Sequence, residues 1–176
     1  MKNQIKYLYE NTYLKYPMYP VKYAFDFYRF RLLPEEYFLK RRFKQVFGFN
    51  PDLKNPKSLS EKIQWLKLND RTPLHTQCAD KFKVREYVKD KVGEQYLVPL
   101  VFETKNVADI NSNNIPDYPV AIKANHDSSG VVIVRDKNKE NWDAIQKKLQ
   151  SHLKVNYYYY DKEWPYKNIE RRIIVE

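Results

Sequence analysis

Two short β-branched runs, Val120-Ala-Ile-Lys-Ala124 and Val131-Val-Ile-Val134, flank the polar segment Asn125-His-Asp-Ser-Ser-Gly130. That pattern predicts a β-hairpin over residues 120–134. A second apolar run, residues 96–102, predicts a strand, and Pro99 within it points to a sheet edge. The closing Arg-Arg-Ile-Ile-Val-Glu176 predicts another strand. Helical spacing dominates elsewhere. Ile5, Leu8, Tyr9 and Tyr13 suggest an amphipathic helix over residues 1–16, ahead of the Pro17 and Pro20 break. Pro34 opens a clearer helix, with Glu35 and Glu36 in its first turn, Gly48 as its stop, and Leu39, Phe43 and Val46 on one side. Ser58-Leu-Ser-Glu61 has capping-box spacing and predicts a helix over 59–68 with Leu59, Ile63 and Leu66 on one face. After a turn at 69–72, Asp80 is placed to cap a helix reaching Val92, with Val84, Tyr87 and Val88 inward and Gly93 as its stop. Residues 106–117 read as turns. Trp142, Ile145, Leu149 and Leu153 predict a helix over 140–153, and residues 157–166 read as an aromatic loop.

These elements together predict an α+β fold: a helical N-terminal region followed by a small antiparallel β-sheet with a helix packed on it. We expect three segments: a basic aromatic helical region at 1–50, a second helical region at 51–95, and a sheet-bearing subdomain at 96–176.

Composition narrows the function classes. The chain of 176 residues carries a net charge of +10, and residues 1–50 hold ten Lys and Arg against four Asp and Glu, with eight of the 16 tyrosines. Such a balance favours anionic partners without choosing among nucleotides, nucleic acid, acidic glycans and an anionic membrane face. Cys78 is the single cysteine and the three histidines are scattered, so neither a disulfide nor a Cys/His metal site is expected. No apolar run is long enough to span a bilayer and no secretory leader is evident, which gives a cytoplasmic expectation, extending to the inner face of the membrane.

Lys123 stands out chemically. An ammonium among Val120, Ala121, Ile122 and Ala124 is costly to bury alone, so it sits either at an exposed edge or opposite an anion. The following turn, Asn125, His126, Asp127, Ser128, Ser129 and Gly130, offers backbone N–H groups, two hydroxyls and a flexible glycine that could wrap a phosphate. A plain polar hairpin with a solvated lysine remains the alternative. Lys81 and Arg85, four residues apart on one predicted helix, could both address an anion or form an exposed basic edge.

Four ordered blocks, residues 57–68, 80–88, 121–130 and 163–176, resemble the TupA-like branch of the ATP-grasp superfamily, associated with bacterial cell-surface polysaccharide and teichuronopeptide synthesis. The resemblance covers roughly residues 35–176 and implies ATP as the cofactor. It implies that Lys123 contacts nucleotide phosphates, that Asn125, His126, Ser128, Ser129 and Gly130 belong to the loop closing over them, and that Glu176 receives the adenine end. Lys81 and Arg85 would steer an acidic acceptor. Ser129 departs from the family, whose members often carry a second glycine there. The superfamily activates a carboxylate as an acyl phosphate. Its Mg2+ ligands follow the hinge, so Mg2+ is expected only with residues beyond Glu176, this chain has no assigned metal ligand or catalytic residue, and turnover by the 176 residues alone is expected to be weak or absent. The implied partners are a nucleotide and a carboxylate-bearing or glycan acceptor, with peripheral contact to membrane-bound polysaccharide machinery; nucleic acid is disfavoured. Two readings from other classes stay open: a glycosyltransferase or glycan-modifying enzyme, suggested by residues 157–166, and a non-enzymatic basic module binding nucleic acid or anionic membrane through residues 1–50.

Overall fold

The computed structural model describes residues 24–176; the helix expected over 1–16 lies outside them. The chain forms two compact units, Met1–Gln64 and Trp65–Glu176.

In the first unit, Tyr28–Leu32 makes a π-helical turn and α1 spans Glu35–Phe47. Pro34 is extended and feeds the helix. Glu35 and Glu36 place carboxylates at its positive end. Gly48, at φ +83°, closes it by donating its N–H to the Lys44 carbonyl at 2.9 Å. Phe38, Leu39 and Phe43 are buried, but Val46, expected inward, is exposed. The Phe43 ring instead packs with Phe47 and Phe49, at centroid distances of 4.4 and 5.3 Å.

Helix α2, Leu59–Asn69, begins with the reciprocal cap its sequence predicts. The Ser58 N–H donates to Glu61 Oε2 at 2.9 Å and the Glu61 N–H to Ser58 Oγ at 3.2 Å. Glu61 also accepts from the N–H groups of Asp52 and Lys57, at 3.0 and 3.2 Å. The Asp52 N–H, then the Ser58 N–H and hydroxyl, lower its pKa to about 2. This anchoring orients the helix. Glu61 is buried, while Leu59, Ile63 and Leu66, roughly opposite it on the helix, face solvent.

The second unit carries α3 (Pro73–Ala79), α4 (Val84–Lys91), α5 (Trp142–Lys154) and α6 (Tyr157–Asp161). Its strands are β1 (Phe102–Thr104), β2 (Val120–Ala124), β3 (Val132–Val134) and β4 (Ile173–Val175). Three outcomes differ from expectation. Helix α3 falls directly after the expected turn, on residues for which no element was expected, started by Pro73 and a Thr72–His75 capping box. Asp80 does not cap α4 directly: its Oδ1 accepts the N–H groups of Phe82 and Lys83, at 2.9 and 3.3 Å, so residues 81–83 form a turn and Val84, Tyr87 and Val88 are only half-buried. The strand expected over 96–102 shrinks to its end, because Glu94–Tyr96 is a 3-10 turn and Pro99 has no N–H; pairing begins where the Val101 N–H reaches the Val175 carbonyl at 2.8 Å.

The sheet is antiparallel throughout, in the order β1-β4-β2-β3. The predicted hairpin pairs Val120 with Val134 and Ile122 with Val132, and β4 runs along the other edge of β2 with Lys123 opposite Ile174. Alternation then sorts the side chains. Val120, Ile122, Val134, Ile173 and Val175 join Ile145 and Leu149 of α5, with Ile110 and Ile115 from the turn-rich segment, in one buried cluster. Lys123, Ile174 and Glu176 therefore belong to the opposite face. Residues 157–161, expected as loop, are helical: Asn156 Oδ1 accepts the Tyr158 N–H at 3.1 Å and Lys162, at φ +53°, ends the helix.

Candidate functional site

Lys123 and Glu176 are diagonal neighbours on that second face, one on β2 and one just past β4. The Ala121 N–H donates to the Glu176 carbonyl at 2.7 Å and the Glu176 N–H to the Ala121 carbonyl at 3.0 Å, which fixes the register. Lys123 Nζ lies 2.6 Å from Glu176 Oε2, with Lys123 23% and Glu176 10% exposed at their side chains. Arg85 reaches in from α4, its Nη1 3.1 Å from Glu176 Oε1 and its Nη2 donating to the Val98 carbonyl at 2.7 Å. Lys81 donates to the Asp127 carbonyl. Burial pushes the Lys81 pKa down and the charge of Lys123 adds to that, while Asp127 opposes it. The pair expected to steer an acceptor is thus divided: Arg85 holds Glu176, and Lys81 sits within the field of Lys123.

One residue pins the three segments that supply these charges. Asn125 is fully buried. Its carbonyl accepts the Lys81 N–H at 3.0 Å and its N–H donates to the Arg172 carbonyl at 3.0 Å. Its Nδ2 donates to Asp80 Oδ1 at 2.8 Å and the Glu170 carbonyl at 2.9 Å, and its Oδ1 accepts the Arg172 N–H at 2.9 Å. His126 is buried beside it, Nε2 2.9 Å from the Val155 carbonyl, and burial lowers its pKa. Both side chains, which the resemblance places in the loop closing over the phosphates, are engaged inside the protein, because the end of a strand buried on every side must satisfy its polar groups there.

The loop that follows is partly exposed. Ser128 and Ser129 reach solvent, and Gly130, at φ +83°, lies so close to the His152 ring that a Cβ would come within 2.5 Å of it. Asp127 is the buried member. Its Oδ1 accepts the Ser129 N–H at 2.8 Å and hydroxyl at 3.2 Å, and its Oδ2 pairs with His152 Nδ1. Burial would raise the Asp127 pKa, but the Ser129 N–H, the Tyr157 hydroxyl and His152 outweigh it and hold it below its ordinary value. The Ser129 N–H assigned to phosphate is therefore occupied by an internal carboxylate. Nothing in the local sequence marked His152, which arrives from α5 through tertiary packing.

Among the described residues, no three His, Cys, Asp or Glu side chains are grouped to hold a metal ion. The nearest carboxylates, Asp127 and Glu176, are bonded to His152 and Ser129 and to Lys123 and Arg85. They do not make a magnesium site. An open groove of about 550 Å³ lies elsewhere, against α5, and shares no lining residue with the Lys123 cluster.

A small antiparallel sheet, carrying a lysine–carboxylate pair on the face away from its main core and a Ser-Ser-Gly loop after β2, defines the class: an α+β subdomain with a cluster of paired charges on its second face. The model of the TupA-like ATPgrasp family matches residues 61–176, and the chain belongs to that family. Neither the curated proteins nor the solved structures offer a match. The family binds ATP and is ligase-like. No helix among the described residues is long and apolar enough to cross a membrane.

Proposed function

We propose that this chain supplies the phosphate-gripping part of an ATP-dependent ligase acting in bacterial cell-surface polysaccharide assembly. The observation that carries the reading is the pairing of Lys123 and Arg85 with Glu176 on the second face of the sheet, with Lys81 in the field of both Lys123 and Glu176 and bonded to the Asp127 carbonyl, where the Ser128–Gly130 turn begins. Lys123 binds the phosphates as a point charge, Lys81 is a second cation for the same anion, and Glu176 neutralises Lys123 until phosphate arrives. Its low exposure suits the adenine end of the nucleotide. Bound ATP supplies the phosphoryl group, and the acceptor is a carboxylate, activated as an acyl phosphate, on a glycan or its precursor. Membrane-bound polysaccharide machinery is the natural peripheral partner.

The test is a thermal shift. ATP at about a hundred times its dissociation constant adds about 2.7 kcal/mol to stability, which is roughly 5–10 °C for a chain of this size. Lys123→Ala and Lys123→Met should each abolish the shift, whatever their own melting temperatures. A shift that survives both substitutions sinks the reading. A shift produced by nucleotide-sugars and not by ATP would favour the glycan-modifying alternative.

A further inference from the structure

Asp127 is a buried carboxylate at the point where the buried run of residues 124–127 gives way to the exposed Ser128 and Ser129, and phosphate gripping alone gives it no task. Its side chain has no exposed surface, against 22% for that of its partner His152. One oxygen takes both donors of Ser129 and the other takes the imidazole. Tyr157 of α6 lies over the same pair, its hydroxyl 3.4 Å from Ser129 Oγ. A carboxylate with this set of partners stands where a phosphate oxygen could: it accepts a loop N–H and a hydroxyl and faces an imidazole. Binding an anion through the Ser129 N–H requires that the carboxylate let go first.

We propose that Asp127 and His152 form a clasp that holds the loop of residues 127–130 closed on an internal anion, and that His152 is the positioning residue that regulates phosphate entry. This rests on the nucleotide reading above and adds its control. Protonated, His152 binds the carboxylate by charge as well as by hydrogen bond, and Ser129 stays turned inward; neutral, it retains only the hydrogen bond. The contact of Gly130 with the imidazole couples the ring to the loop backbone, so a moving ring releases both. The other groups around the clasp are fixed. Lys81 donates to the Asp127 carbonyl, His126 to or from that of Val155, Arg171 to that of Leu153 at 2.8 Å and Lys148 to that of Val131 at 3.2 Å. Besides Ser129, the Asp127 carboxylate meets His152 and the Tyr157 hydroxyl, and of these two kinds of group it is an imidazole that changes charge near neutral pH.

Two measurements on the whole chain test the clasp: amide hydrogen exchange at Ser129 by NMR, and ATP affinity between pH 5.5 and 8. Asp127→Asn and His152→Gln should speed Ser129 exchange by at least about tenfold, the size expected for loss of a charge-assisted hydrogen bond. Both should tighten ATP binding at low pH, and His152→Gln should flatten the part of the pH dependence that Asp127→Asn also removes. Unchanged exchange in both variants overturns the clasp, as does weakened ATP binding in both, which would make the pair a support for the bound state. If the wild-type chain binds no ATP while Ser129 exchange responds to the variants, the clasp stands and the nucleotide reading falls.

Discussion

Replacing Asn125 with alanine separates a structural fastener from a ligand contact. The substitution leaves the main-chain bonds to Lys81 and Arg172 in place and removes three side-chain bonds of 2.8–2.9 Å in a fully buried position. Asp80 Oδ1 keeps the N–H groups of Phe82 and Lys83 and loses little. The Glu170 carbonyl and the Arg172 N–H lose a partner, at about 1–3 kcal/mol each. With the small void left by the amide, the total is about 3–5 kcal/mol, or a fall in Tm of about 10 °C. Urea and thermal denaturation read it directly. Asn125→Asp should be worse at pH 7 than at pH 4, since it sets a second carboxylate against Asp80 and removes the Nδ2 donors. If Asn125→Ala melts within a degree of wild type and instead weakens ATP binding, the fastener argument is wrong and the residue touches ligand.

Other expectations are simpler. Leu149→Ala empties a fully buried site in the cluster under the sheet and should cost about 2–5 kcal/mol by chemical denaturation. Gly48→Ala meets no atom within 4 Å, so its cost is backbone strain alone, about 1–2 kcal/mol, and a clash-sized loss would contradict the open geometry. Glu61 titrates at about 2 in the folded chain against an ordinary 4.5. Its contribution is therefore complete above about pH 4.5 and disappears as pH falls towards 2, and Glu61→Gln should remove that part of the acid-unfolding curve followed by circular dichroism.

Much of the fold was legible because local chemistry and tertiary structure agree there. Alternating β-branched residues gave the 120–134 hairpin, Pro34 and Gly48 bounded α1, and the Ser58–Glu61 spacing gave its cap. Where two local signals compete, periodicity loses: in α2 the Leu59, Ile63 and Leu66 stripe points outward because Glu61 collects N–H groups on the other side. The site was legible only in part. Lys123 could be named from its neighbours and Glu176 from family likeness, yet their contact depends on the register of β4 against β2, a pairing of residues far apart in sequence. Asn125 and His126 looked like loop donors because a sequence shows polarity and not burial. The meeting of His152 with Asp127 depends on how α5 packs, which no local pattern encodes.

The insertion of β4 between β1 and β2 has a consequence for the nascent chain. Phe102–Thr104 emerges from the ribosome well before its hydrogen-bonding partner, Ile173–Val175. Throughout translation of the intervening residues, β1 and the free side of β2 are open templates for intermolecular pairing. Completion of the sheet and arrival of the Glu176 carboxylate beside Lys123 are then a single event, so the cation cluster gains its counter-charge only when the sheet closes.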